Sequence, residues 1–254
     1  MRIAILASTD LVWGTSVWEA TIPRLQEAGH DIAGFWEITG RPGKQPSHVR
    51  TFGMATVGAL AGYAGTVVLK RLLRRRPLSF EAVCRRHKVS YARAENPNRE
   101  WVIQALEATA PEAIIAMTPF ILKEKLINIP EKGIINKHAA LLPANKGIMP
   151  YVWATIKGEP NGVSYHIMNK KIDEGDIIYQ YDLSDHSFRS MIHFYNTVFA
   201  HYEKDMPTVL DRLARGLYSE GSGLPPSYHG FPERTDIRAF RRAGGRVLTW
   251  RDFA

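Results

Sequence analysis

Residues 133–180 constrain the fold more than any other stretch of this 254-residue chain. A short apolar run, Gly133-Ile134-Ile135, stops abruptly in Asn136, Lys137 and His138. A loop punctuated by Pro and Gly follows, then a helical stretch opening at Pro150, where proline suits the first helical position. A second apolar run, residues 163–168, leads to Ile172-Asp173-Glu174-Gly175-Asp176. Two strands joined by a loop and a helix read as a βαβ unit, and open parallel sheets bind ligands at the carboxyl ends of their strands. Asn136, His138 and Asp173 are therefore expected to meet in one cleft. His166, inside the second run, is expected to pack or face solvent.

The three side chains form a coherent chemical set. An Asn amide can stabilise a developing oxyanion. A His can move a proton near neutral pH. An Asp beside it can orient the imidazole, raise its pKa or hold a water. Taken singly, each has a plain structural explanation: a turn residue, a satisfied core histidine, a turn acid. The combination at strand ends carries the argument. The trio contains no Ser or Cys, so a covalent acyl-enzyme does not fit and attack on a carbonyl by an external nucleophile does.

The spacing Asn136-x-His138, then Leu141-Leu142-Pro143 with Gly147 four residues on, then Asp173-x-Gly175, resembles the active-site segment of the 10-formyltetrahydrofolate-dependent formyltransferases. That family includes methionyl-tRNA, glycinamide-ribonucleotide and amino-sugar enzymes. The resemblance covers about residues 95–190 and, more weakly, the first strand. It implies a Rossmann-like, doubly wound α/β fold with a mostly parallel sheet. It also implies a folate-dependent one-carbon transferase using 10-formyltetrahydrofolate as donor, with Asn136, His138 and Asp173 catalytic. By the same resemblance Pro119, Phe120, Ile121 and Leu122 would wall the folate pocket, with Lys171 and Ile172 opposite. Apolar walls with few polar groups suit a flat heteroaromatic ligand, although Phe120 and Leu122 are equally typical core residues. Ser8, Thr9, Asp10 and Trp13 are weaker candidates for the acceptor, an ordinary surface loop being the alternative. Where relatives carry an aromatic residue and Arg, this chain has Asn145-Lys146, and Lys146 is expected at the surface.

The chain opens with a buried-strand pattern at Arg2–Ser8, a helix predicted over residues 16–28 with Ser16 and Glu19 as a capping box, and a strand at residues 31–38. No GxGxxG accompanies this β-α-β start, so no dinucleotide site is inferred. Residues 1–217 are expected to form the catalytic domain, with an insertion over about residues 40–88. A basic extension, residues 218–254, would hold one helix and a terminal strand. It is shorter than the separate C-terminal domain of tRNA-formylating relatives. Residues 186–217 read as one long helical stretch with a break or kink near Pro207.

Residues 52–69 carry no charge and run into Lys70-Arg71-Leu72-Leu73-Arg74-Arg75-Arg76. Three readings are open: a helix buried against the sheet or a dimer partner, an interfacial segment with its arginines on anionic headgroups, or a membrane span. The Gly and Ala content makes the run weakly hydrophobic, and a span would interrupt the domain, so burial is the expectation.

The 33 Lys and Arg outnumber 25 Asp and Glu, a net charge of +8 that points to an anionic partner. Aromatic residues do not interleave the basic run as a base-stacking platform would, so nucleic acid is not expected. The single cysteine, Cys84, excludes an internal disulfide and a cysteine-based zinc site, and no metal-ligand spacing is present. No signal peptide is read, and a cytoplasmic setting, with peripheral membrane contact as a variant, is expected. The predicted reaction is formyl transfer to a primary amine of a small anionic acceptor such as an amino-sugar nucleotide. Hydrolysis of the formyl-folate, a lipid-linked amine acceptor and a non-catalytic folate- or nucleotide-binding protein are the alternatives.

Overall fold

The computed structural model describes residues 1–10, 12–43 and 48–253. A seven-stranded sheet in the order β3-β2-β1-β4-β5-β7-β8 organises them. Its strands are β1 (Arg2–Ser8), β2 (Asp31–Ile38), β3 (Tyr91–Ala94), β4 (Ala113–Met117), β5 (Ile134–His138), β7 (Gly162–Ile167) and β8 (Ile177–Asp182). The first five run parallel, while β7 and β8 are antiparallel to their neighbours. A small separate ladder pairs β6 (Lys146–Gly147) with β9 (Tyr228–His229). The helices are α1 (Gly14–Glu27), α2 (His48–Phe52), α3 (Met54–Leu73), α4 (Phe80–His87), α5 (Glu100–Ala108), α6 (Glu124–Ile127), α7 (Pro150–Lys157), α8 (Met191–Ala200), α9 (Tyr202–Ala214) and α10 (Arg234–Arg242).

Strand periodicity explains the two layers. In β1, Ile3, Ile5 and Ala7 join one apolar cluster while Ala4 and Leu6 join another on the opposite face. Helices α1, α4, α8 and α9 contribute to the first cluster, and α5 and α6 to the second. A sheet covered on both faces needs apolar residues at every position, which is why β1 and β4 read as unbroken apolar runs. The expected doubly wound, mostly parallel architecture is what the chain adopts. Residues 218–253 pack onto the same core, where Ile237, Phe240 and Val247 are buried.

Several local expectations are corrected. The β5–β7 unit is not a parallel βαβ: the strands are antiparallel, with His138 opposite Ser164. The connecting helix α7 packs on α8 and α10 at one end of the sheet, so β7 starts where β5 stops. Helix α1 starts at Gly14, not Ser16, because Asp10 Oδ1 accepts from the backbone N–H of Val12 and Trp13 just ahead of it. Glu19 takes no part in a capping box and instead pairs with Arg71, Arg76 and Arg86. The long C-terminal helical stretch breaks at His201, six residues before the proline, and Pro207 lies inside α9. There its missing N–H forfeits one intrahelical bond. The terminal segment is a 3-10 turn, Trp250–Phe253, not a strand. Asp252 closes it by accepting from the Thr249 N–H and the Ser190 hydroxyl.

Residues 52–76 depart furthest from expectation. Helix α3 is not buried against the sheet: only Tyr63 and Arg71 along it are covered. The sheet face it would have covered is already occupied by α1, α4 and α9, with Phe80 of α4 packed 5.0 Å from Phe35. The membrane-span reading also falls, since no helix among the described residues is long and apolar enough to cross a membrane. Cys84 is buried in the core, and burial pushes its thiol up to about 12, which makes it a packing residue rather than a nucleophile.

Candidate active site

The site forms at the carboxyl ends of β1, β4 and β5. The sheet order reverses between β1 and β4, the switch point at which loops diverge and leave a crevice. The Ser8 hydroxyl lies 2.8 Å from the Thr118 hydroxyl and ties the two loops together there. Asn136 and His138 alternate with Lys137 along β5, so they face the α5–α6 side while Lys137 faces α8 and α9.

His138 is buried, at 6% exposure. Its Nε2 donates to the Asn145 carbonyl at 2.8 Å, and its Nδ1 faces Asp173 Oδ2 at 3.5 Å. Because a carbonyl can only accept, Nε2 carries the hydrogen and Nδ1 is the basic nitrogen. Burial pulls its pKa below the ordinary value, Asp173 and the Asn145 carbonyl opposing that pull. The imidazole is therefore neutral at neutral pH, poised to accept a proton beside a carboxylate.

Asp173 comes not from a strand end but from the β7–β8 loop, which doubles back over the sheet. Its backbone sits at φ +52°, in the left-handed region where Asp is among the better tolerated side chains. Oδ2 also accepts from the Gly147 N–H at 2.8 Å, and Oδ1 lies 3.4 Å from His166 Nε2. Burial works to raise its pKa, but the His166 hydrogen bond, His138 and Gly147 outweigh it and hold the carboxyl at about 2. Two glycines make the fold-back feasible. A Cβ at Gly175 would lie 1.6 Å from the Ile167 carbonyl oxygen, and one at Gly147 would lie 2.1 Å from that of His229.

His166 is the member of the site that sequence reasoning missed. It sits opposite Asn136 in the β5–β7 ladder, and its Nε2 lies 3.2 Å from Asn136 Nδ2. Its Nδ1 donates to the Ile167 carbonyl at 3.1 Å, so in the neutral ring Nε2 accepts from Asn136, and with Nε2 protonated it donates to Asp173 instead. A signal is present in the sequence: Ser164 and His166 share one face of an otherwise apolar strand. Ser164 accounts for itself by accepting from Leu142 N and donating to the Ala140 carbonyl, which anchors the loop after His138.

The structure brings Asn136, His138 and Asp173 together and adds His166. It distributes the other candidates unevenly. Phe120 and Leu122 turn into the second core cluster, whereas Pro119 and Ile121 lie on the loop after β4, beside the Asn136 strand, and are both exposed. Lys171 and Ile172 lie on the Asp173 loop and are open to solvent. Lys146 is not at the surface as expected: it is buried and paired with Glu174 at 2.6 Å, which stiffens that loop. Thr9 donates to Glu37 at 2.6 Å and Asp10 shapes the start of α1. Trp13 stacks on Phe199 with ring centres 5.1 Å apart, and its indole N–H donates to Asn196 at 2.7 Å.

The domain described as formyl transferase matches residues 66–204. The chain is 31% identical over 160 residues to the methionyl-tRNA formyltransferase of Caldanaerobacter subterraneus subsp. tengcongensis, a stretch covering 62% of this chain but 44% of that protein. Among solved structures it is similar to glycinamide ribonucleotide transformylase 1 of Symbiobacterium toebii, with a TM-score of 0.59 at 17% identity over 85% of this chain and 88% of that one. It is also similar to a sugar N-formyltransferase of Shewanella sp FDAARGOS_354, with a TM-score of 0.56 at 17% identity over 96% and 87% of the two chains. The matched domain covers more than half of the residues and contains Asn136, His138, His166 and Asp173, so the chain belongs to the formyl transferase family.

Proposed function

We propose that the protein transfers a formyl group from 10-formyltetrahydrofolate to a primary amine of a small, anionic acceptor such as an amino-sugar nucleotide. The observation that carries this is the convergence of Asn136, His138 and Asp173 around one carboxylate–imidazole contact of 3.5 Å, in a chain of this family. The acceptor amine attacks the formyl carbon and a C–N bond forms. Negative charge develops on the formyl oxygen, where the Asn136 amide N–H stabilises it. The neutral His138 takes the proton that the amine sheds, and Asp173 stabilises the resulting imidazolium. When the bond from formyl carbon to folate nitrogen breaks, that proton passes to the leaving nitrogen. No covalent enzyme intermediate is needed.

Pro119 and Ile121 on one side and Ile172 and Lys171 on the other supply apolar surface flanked by a cation. That chemistry fits a flat pterin carrying an anionic tail. Ser8, Thr9, Asp10 and Trp13, across the switch point, supply the polar and aromatic groups for the acceptor.

Incubating the protein with 10-formyltetrahydrofolate and a pool of amine metabolites, read by mass spectrometry, tests the reading. A product heavier by one formyl group, absent with Asp173→Ala, supports it. Release of formate without a formylated product would assign hydrolysis instead.

A further inference from the structure

Every exposed residue of α3 is Met, Ala, Gly or Leu. At about 100° per residue, they fall in one arc of roughly 120°, from Met54 through Gly58, Gly65 and Leu69 to Leu72 and Leu73. The large side chains stand out into solvent: Met54, Leu69, Leu72 and Leu73 are 78, 56, 54 and 76% exposed. A surface helix of a globular protein ordinarily turns polar residues outward. Here the outward stripe is wholly apolar, and an apolar patch rimmed by charge marks an interaction surface.

The charge around it says what covers it. Residues 38–80 hold eight Lys and Arg and no Asp or Glu, so the rest of the chain carries 25 of each and is neutral. The net +8 thus resides in the segment that contains α3. Part of it is neutralised internally, since Arg71 and Arg76 pair with Glu19. Arg74 and Arg75, at the end of the apolar stripe, are exposed. The 3-10 turn packs beside α3, with Phe253 edge-on to Tyr63 at 6.0 Å and its carbonyl accepting from Lys70 at 3.0 Å. That turn presents Trp250 at 76% exposure, with the Arg251 guanidinium 5.3 Å from its ring. Next to the first turns of α3, Arg241, Arg246 and Thr56 line a cavity of about 430 Å³. Exposed Leu and Trp beside arginines is the composition of a helix lying in a bilayer interface.

We propose that α3 and the Trp250–Phe253 turn form a docking surface for an anionic phospholipid bilayer, with α3 lying in the plane of the interface. The docked helix is coupled to the candidate acceptor loop: Tyr63 Oη and Trp13 Nε1 both donate to Asn196 Oδ1, at 2.9 and 2.7 Å. Docking would therefore set Trp13 near the membrane, where an acceptor amine would be presented if it is carried on a lipid rather than on a nucleotide.

The docking surface is tested apart from the formyl-transfer reading, with no folate or amine present. The protein is sedimented with vesicles of phosphatidylcholine alone or mixed with phosphatidylglycerol, at low and high salt. Binding is expected only to the mixed vesicles and is expected to fall with salt. Arg74→Gln with Arg75→Gln should weaken it roughly 30-fold, each base contributing about 5-fold. Leu72→Glu with Leu73→Glu should abolish it while circular dichroism stays unchanged, since both side chains are already in solvent. Failure to bind phosphatidylglycerol vesicles at low salt would overturn the proposal. So would a wild-type dimer in light scattering that becomes monomeric on Leu72→Glu with Leu73→Glu, which would assign the face to a second copy of the chain.

Discussion

His166 lies directly across the β5–β7 ladder from Asn136, its Nε2 3.2 Å from the amide nitrogen. The same nitrogen lies 3.4 Å from Asp173 Oδ1, so one ring touches both Asn136, the proposed oxyanion donor, and the carboxylate that faces His138. The candidate site is thus a contiguous polar cluster of four side chains drawn from two strands and a fold-back loop.

In the proposed mechanism His166 positions rather than reacts. Its replacement by Ala should free the Asn136 amide to rotate and cost up to about 100-fold in kcat, because small misplacements near reacting atoms are expensive. The KM for the folate should change little. An unchanged kcat would assign His166 to packing, and a Gln that restores the contact should recover part of the loss.

The pH profile follows from burial. His138 must be neutral to take a proton, and its pKa lies below 6.5. The acid limb of kcat/KM should therefore fall below pH 6.5. Asp173→Asn removes the charge that favours the imidazolium, so the limb should move to still lower pH while kcat drops. Movement to higher pH would contradict the assigned contact.

Stability should carry the same signature. Asp173 titrates at about 2 in the folded chain against an ordinary value of 3.8. A depressed carboxylate stabilises the fold above its unfolded pKa and loses that contribution as pH falls through the folded value, here between about 4 and 2, amounting to roughly 2 kcal/mol. For His138 the unfolded chain takes up a proton that the folded chain refuses, so stability also declines as pH falls below 6.5. Chemical denaturation across this range should show both losses, and Asp173→Asn should flatten the slope below pH 4.

Gly147→Ala tests the fold-back loop. The new Cβ would strike the His229 carbonyl at a backbone φ of +95°. The expected cost is about 2 kcal/mol or more, as for strained φ and overpacking together. Thermal denaturation within a degree of wild type would show that the β6–β9 contact is dispensable.

Much of this site is legible in the amino-acid order alone. Asn136 and His138 stand out because polar residues that interrupt a buried strand need a reason, and Asp173 because it stands two residues before Gly175 after the next apolar run. His166 is not legible in that way, because its role depends on β7 running antiparallel to β5, and a one-residue change of register would turn it away. Lys146 reads as a surface lysine because its partner Glu174 comes round from a distant loop. The exposure of α3 is unreadable for a similar reason. An apolar run predicts burial, but whether the sheet face is free to bury it depends on where α1, α4 and α9 pack.

The mechanism rests most directly on Asn136. With 10-formyltetrahydrofolate and an accepted amine, Asn136→Ala should turn over about 100- to 1,000-fold more slowly than wild type, the usual loss on removing one oxyanion donor. Folate binding should be retained in the same variant, measured by titration. Turnover close to the wild-type rate would contradict the mechanism.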